Sequence, residues 1–234
     1  MQVTFVRSHD EADNIKTFYF KPARQVDYTA GQFIELSIPH DNPDERGIKR
    51  WFTLSSSPTQ ELLTITTKFA DEHSSSFKKA LLSLEPETEL HMSDPMGDFV
   101  LPKLVQTPLV FVAGGIGITP FHSILSWLAD TQETRPIKLI YGVRSEDEII
   151  FQETFNKAGV HATIVVSDAS EAWGGENGRV TAELVLGLEQ PSDDTLIYIS
   201  GPEPMVESLQ EDLKKAGVKQ NQLVGDFFSN YTAI

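Results

Sequence analysis

The residues whose types and spacing best suit chemistry lie in a glycine-rich turn, Val112-Ala113-Gly114-Gly115-Ile116-Gly117-Ile118-Thr119-Pro120. Glycines let a ligand approach the backbone closely. A helix opening here aims free N–H groups and a partial positive charge of about +0.5 at a pyrophosphate. Pro120 suits the first turn of such a helix, where its missing N–H costs nothing. A tight strand-to-helix turn without a ligand is the other reading of the same glycines. The turn is not Gly-x-Gly-x-x-Gly, and Arg144 stands where the common dinucleotide fold has a ribose-binding carboxylate after its second strand. The chain has no cysteine, which removes disulfides, iron–sulfur clusters, thiolate zinc sites and cysteine nucleophiles together. The histidines at 9, 40, 73, 91, 122 and 161 show no metal-ligand spacing. No Gly-x-Ser-x-Gly elbow offers a nucleophilic serine.

Two kinds of element must position that turn. Before it, VTFVRS, IKTFYFK, QFIELSIP, RWFTLSSS and LLTITTKF are short runs rich in β-branched and aromatic residues. Asp13-Asn14, Gly31, the loop 40–49 and Pro58 separate them. This spacing predicts a small antiparallel barrel, interrupted by one helix over 75–84 that Ser74, Ser75 or Ser76 would cap. From about residue 107 the pattern changes. PLVFVAG is a continuous apolar run, as expected of a strand buried on both faces. A helix follows with Phe121, Ile124, Leu125 and Leu128 on one face. IKLIYGV, ATIVVS and TLIYIS are the next strands, with helices near 181–186 and 203–215, the last stopped by Gly217. Ser145 and Glu148 read as a capping box for a short helix ending near Phe155. The expected fold has two domains: an antiparallel β-barrel over 1–104 and a doubly wound parallel α/β sheet over 105–234.

The chain carries 34 acidic against 19 basic residues, a net charge of −15. That balance argues against nucleic acid as a partner, because phosphates need a basic surface. No stretch approaches the ~20 apolar residues of a membrane span, and the first residues contain no apolar signal-peptide core. The expectation is a soluble cytoplasmic protein.

Several segments, in order, resemble the ferredoxin–NADP reductase family. Arg50-Trp51-Phe52-Thr53-Leu54-Ser55-Ser56 looks like its flavin-binding stretch, Arg-x-Tyr-Ser-x-x-Ser. His73-Ser74-Ser75-Ser76, Gly97-Asp98-Phe99, the Gly-Gly-x-Gly-Ile-Thr-Pro turn and Tyr141-Gly142-Val143-Arg144 follow. Ser200-Gly201-Pro202-Glu203-Pro204-Met205 and Asp226-Phe227-Phe228 complete the set. The match spans nearly the whole chain. It implies a Greek-key barrel holding FAD and a second domain presenting NAD(P)H to it, with no iron–sulfur domain.

Carried over by residue, the resemblance gives Arg50 and Ser76 to the flavin pyrophosphate, a group that suits a guanidinium fork. Phe52, where the family usually has Tyr, would pack on the isoalloxazine or ribityl chain. Thr53 would hydrogen-bond near N5, with Trp51 and Ser56 in the same stretch. The glycines Gly114, Gly115 and Gly117 with Thr119 would receive the nucleotide, Thr119 facing the nicotinamide. Gly201, Pro202 and Met205 would close over the nicotinamide and its ribose. Ser200 stands where many members have Cys, and Asp226 where some have Glu; both would position the reacting rings. Phe228 or Tyr231 would cover the flavin. Asp168 stands where NADPH users often carry Arg, which favours NADH, while Arg144 suits a phosphate.

The implied reaction is hydride transfer from NAD(P)H to bound FAD. Electrons then pass to a ferredoxin- or flavodoxin-type protein or to a small molecule. A local basic face of Lys49, Arg50, Lys68, Lys78 and Lys79 would receive an acidic protein acceptor. A reductase of free flavin and a non-catalytic docking subunit with the same fold are the other readings.

Overall fold

The computed structural model describes residues 1–69, 75–189 and 191–228, without the side chains of 188, 189 and 228. His73, Ser74 and Tyr231, and the side chain of Phe228, therefore lie outside the described residues.

The N-terminal unit is built from β1 (Gln2–Ala12), β2 (Ile15–Pro22), β3 (Phe33–Ser37), β4 (Lys49–Thr53), β5 (Leu63–Lys68), α1 (Ser76–Leu82) and β6 (Glu89–Met92). The six strands form one antiparallel sheet in the order β4-β3-β6-β1-β2-β5. Just past β4 the Ser55 N–H donates to Thr64 O at 2.8 Å, so the two edges meet and the sheet curls into a barrel. Alternation along the strands sends Phe5, Phe18, Phe20, Ile34, Leu36 and Ile65 inward. Helix α1 plugs the barrel with Phe77 and Leu81. Its cap is Ser75, whose hydroxyl accepts from the Lys78 N–H.

The C-terminal unit contains β7 (Leu109–Gly114), α2 (Ile118–Thr131), β8 (Ile137–Val143), α3 (Gln152–Lys157), β9 (Ala162–Val166) and β10 (Glu176–Asn177). It continues with α4 (Ala182–Glu189), β11 (Leu196–Pro202), α5 (Glu203–Lys215) and β12 (Leu223–Phe228). Its strands are all parallel, in the order β10-β9-β8-β7-β11-β12. Every residue of β7 is buried, as its unbroken apolar run predicts. Leu109, Phe111 and Ala113 pack under α2, while Val110 and Val112 pack under α5. The two helices thus cover opposite faces of the sheet. Phe111 stacks on Phe121 of α2 with ring centres 4.6 Å apart. Gly217, at φ +100°, ends the α5 segment in the left-handed conformation that glycine adopts freely.

Four expectations change. The capping box at Ser145 does not form: residues 146–148 make a single 3-10 turn, and Phe151 at φ +64° separates it from α3. The Glu148 carboxylate that would have capped this helix instead pairs with Lys68 of the barrel at 2.6 Å. Three strands also escape the sequence pattern, β6, the two-residue β10 and β12.

The units share apolar contacts. Ile15, Ala30 and Phe99 from the first lie in one core with Phe111, Phe121 and Tyr198 of the second. The Tyr198 hydroxyl donates to Val100 O at 2.7 Å.

Candidate functional site

Strand alternation places Arg50, Phe52 and Leu54 on one face of the β4 segment and Trp51 and Thr53 on the other. Phe52 is 8% exposed and lies in the barrel core against Phe77, with ring centres 5.8 Å apart. This ring contact ties β4 to α1. The exposed ring of this stretch is Trp51, 54% exposed and edge-on to Phe33. Thr53 is buried beside it.

Arg50 is held by the 40–49 loop. One terminal nitrogen, Nη1, donates to the carbonyls of Arg46 (2.8 Å), Gly47 (2.9 Å) and Lys49 (2.7 Å). The other, Nη2, pairs with Asp44 Oδ1 at 2.7 Å. Nε is buried and has no hydrogen-bond partner. Ser76 belongs to the same group: its hydroxyl accepts from the Asp44 N–H at 2.8 Å and meets His40 Nε2 at 3.0 Å. Burial acts to raise the Asp44 carboxyl. The Arg50 and Arg46 hydrogen bonds and the Arg50 charge outweigh it and hold the group below its ordinary value. Neither His40 nor Asp44 carries a sequence motif.

Ser56 is buried between the two units. Its hydroxyl contacts the Tyr28 hydroxyl at 2.8 Å and accepts from the Thr64 N–H at 3.1 Å. Its carbonyl accepts from Ser123 of α2 at 2.6 Å. Beside it, His122 Nδ1 lies 2.7 Å from the Ser55 carbonyl, so that nitrogen must carry the proton, since a carbonyl only accepts. The His122 ring stacks on Phe151 at 3.7 Å, and burial pushes its pKa down to about 4. Ser56, His122 and Ser123 join the two units. Two polar residues, His122 and Ser123, inside the first turns of an apolar helix were the signal for this seam.

On the second unit the expected residues gather at the carboxyl ends of the parallel strands. Gly114 ends β7, residues 115–117 form a 3-10 turn, and α2 starts at Ile118. A Cβ on Gly114 would overlap Met205 Sδ, and one on Gly117 would overlap the Ser200 carbonyl and stand 2.6 Å from Gly201 Cα. The absence of side chains lets the turn pack directly on the end of β11. Gly114, Gly117, Ser200, Gly201, Pro202 and Met205 therefore form one cluster, and Gly115, at φ +52°, opens away from it. The Thr119 hydroxyl is buried and donates to Ile116 O at 3.1 Å, turned into the turn itself. Ser200 is fully buried, and its hydroxyl has no partner. Asp226 pairs in register with it on β12, and burial pushes its pKa up to about 6. Arg144 and Asp168 adjoin at the ends of β8 and β9, where the Asp168 N–H donates to Arg144 O at 2.7 Å, and both are exposed.

The expected basic face is largely neutralised. Lys49 pairs with Glu35 at 2.8 Å, Arg50 with Asp44 at 2.7 Å and Lys68 with Glu148 at 2.6 Å, and Lys78 donates to Lys68 O at 2.5 Å. Lys79 is exposed.

Among the described residues, the buried side-chain atoms without a partner are Arg50 Nε and Ser200 Oγ. One lies in the stretch that resembles a flavin pyrophosphate site, the other in the stretch that resembles a nicotinamide site. An unsatisfied guanidinium N–H fits a phosphate oxygen, and an unsatisfied hydroxyl fits a carboxamide.

An antiparallel barrel joined to a doubly wound parallel sheet with a glycine-lined carboxyl edge defines the class: a two-domain β-barrel plus α/β fold. Residues 111–211 match the oxidoreductase NAD-binding domain family. Flavohemoprotein A of Dictyostelium discoideum is 24% identical over 241 residues, covering 97% of this chain and 60% of that protein. The NADH oxidoreductase HCR of Escherichia coli is 27% identical over 192 residues, covering 82% of this chain and 57% of that protein. The chain thus spans little more than half the length of these relatives. Among solved structures, the FAD/NAD-binding domain of a nitric oxide dioxygenase from Vibrio cholerae superposes with a TM-score of 0.80 at 21% identity, covering 97% of this chain and 98% of that one. A ferredoxin–NADP+ reductase from Neisseria gonorrhoeae, with bound FAD and NADP, gives 0.80 at 19% identity, with the same coverage. The chain shares the two-domain fold of these solved structures.

Proposed function

We propose that this chain takes a hydride from NADH onto FAD and passes the electrons to a separate acceptor. The observation that carries the reading is the pair of unpartnered buried donors, Arg50 Nε and Ser200 Oγ, one in each cofactor stretch. Residues 1–104 hold the flavin and residues 105–234 the nucleotide. The bound flavin supplies the redox chemistry, accepting two electrons as hydride and releasing them onward.

The residues of the chain bind and orient. Arg50 and Ser76 grip the flavin pyrophosphate. Trp51, the exposed ring of β4, supplies the aromatic surface that Phe52 gives up to the core, and Thr53 holds the edge near N5. The turn of Gly114, Gly115 and Gly117, opening α2, receives the nucleotide backbone, and buried Thr119 keeps that turn closed on itself. Gly201, Pro202 and Met205 form the floor beneath the nicotinamide. The Ser200 hydroxyl and the partly buried Asp226 position its carboxamide. Exposed Asp168 accepts from the ribose hydroxyls and repels a 2′-phosphate, which favours NADH over NADPH despite its neighbour Arg144.

The neutralised lysines disfavour an acidic protein acceptor on that face. A small molecule or a partner that docks elsewhere fits better. Among similar proteins, an Acinetobacter baylyi relative, 27% identical, is an electron transfer component of anthranilate 1,2-dioxygenase.

The test is an anaerobic titration of the FAD-reconstituted protein with NADH and, separately, NADPH, following flavin absorbance. Bleaching at near-stoichiometric NADH is the expected result, with NADPH weaker. A flavin bound but reduced by neither nucleotide would favour the docking-subunit reading, and failure to bind flavin would refute the proposal.

A further inference from the structure

We propose that Asp44 is a built-in competitor for the phosphate site on Arg50, so that the 40–49 loop sets how tightly the chain holds its flavin. The proposal rests on the flavin reading above.

The argument starts from the guanidinium fork. An anion bound side-on takes the Nε and Nη2 edge of an arginine with two parallel hydrogen bonds. Here the Nη1 side is committed to three backbone carbonyls of the loop. The side-on edge is what remains. Asp44 Oδ1 holds one half of it, Nη2, at 2.7 Å, and leaves Nε buried without a partner. A carboxylate therefore sits in a monodentate grip on the edge that a phosphate takes with both nitrogens.

The rest of the setting matches. Ser76, the second residue assigned to the pyrophosphate, is bound through its hydroxyl to the Asp44 N–H and to His40 Nε2. The Arg46 N–H donates to the same Oδ1 at 3.0 Å. One short segment thus occupies both anion ligands with its own carboxylate and backbone. Asp44 is partly exposed, with 31% of its side chain open to solvent, so an incoming anion can reach it and the carboxylate can swing out. Arg50 is anchored independently of Asp44 by its carbonyl contacts. Release of the carboxylate leaves the fork in position. The exchange is of one anion for another: the pyrophosphate gains the Nε bond that Asp44 leaves unmade, and the chain loses one ion pair.

A partly exposed pair of this kind is worth a few tenths to about 1 kcal/mol, so removing the competing charge tightens flavin binding roughly two- to fivefold. The experiment measures the FAD dissociation constant by flavin fluorescence quenching for the wild-type chain, Asp44→Asn and Asp44→Ala. Inorganic pyrophosphate is titrated in parallel, read by its shift of the melting temperature. Tighter FAD binding in both variants, with a larger pyrophosphate shift, is the expected result. Unchanged or weaker FAD binding in both, with the wild type still binding, overturns the competitor role and leaves the flavin reading standing. If no form binds FAD but pyrophosphate stabilises the variants more than the wild type, the competitor role holds and the flavin reading falls. If neither ligand binds any form, both fall.

Discussion

Replacing Gly117 by alanine tests the claim that the nucleotide turn works by packing directly on the end of β11. The added Cβ would overlap the Ser200 carbonyl, meet Ser200 C at 2.5 Å and stand 2.6 Å from Gly201 Cα. All three obstacles are backbone, so no side chain can rotate away, and either the 115–117 turn or the β11 end must move. Overpacking of this kind costs about 1–3 kcal/mol. For a chain of 234 residues, each kcal/mol lowers the melting temperature by roughly 2–4 °C, so a drop of about 2–12 °C is expected. The shift opens the seam between Gly114 and Gly201, and the NADH concentration for half-reduction of the flavin should rise at least tenfold, while FAD affinity stays within about twofold. Gly115→Ala is the control. Its Cβ meets nothing within 4 Å, but its φ of +52° is strained for any other residue, so it costs about 1–2 kcal/mol without closing the site. Differential scanning fluorimetry and anaerobic titration read both effects. The reasoning is refuted if Gly117→Ala binds NADH like the wild type, or if Gly115→Ala impairs NADH binding more than Gly117→Ala does.

Three further outcomes are expected. His122 is neutral at pH 7 because burial pushes its pKa down to about 4, so the stability it confers is present above its unfolded value near 6.5 and is lost as pH falls through 4. Urea unfolding should show at most about 3 kcal/mol lost over that window, and His122→Gln should flatten it. Asp226 has the opposite sign: its pKa is raised to about 6, so its contribution is full below its ordinary value near 3.8 and is lost as pH rises through 6. Asp226→Asn should be more stable than the wild type at pH 7.5 by about 1–2 kcal/mol, a gain that vanishes at pH 4 in chemical denaturation, while NADH reduces its flavin more slowly. Ser200→Ala removes a buried hydroxyl with no partner, so melting should be unchanged or raised by up to about 1 kcal/mol, while the NADH requirement rises roughly three- to tenfold in the same titration.

What the sequence showed follows the range of the interactions involved. The six-residue run of β7 and the stripe of Phe121, Ile124, Leu125 and Leu128 were legible because burial on a regular element repeats locally, and each is buried as expected. The turn at 114–117 was legible because its glycines sit together. The short β6 and the edge strand β12, interrupted by Gly225 and Asp226, carry too little apolar pattern to stand out. Glu148 misled because its partner, Lys68, lies 80 residues away. Phe52 went to the core because Phe77, on a helix 25 residues later, covers its face of β4. The Asp44 contact has no motif, since it depends on how one irregular loop folds back on Arg50.

The shared core of Phe99, Phe121 and Tyr198 has a mechanical consequence. A hinge between the two units would have to part these aromatic rings and break the Tyr198–Val100 hydrogen bond. On the proposed function, these contacts would hold the flavin stretch and the nicotinamide stretch at a set spacing, like the gauge of a railway, and entry of a nucleotide would fall to loops and side chains.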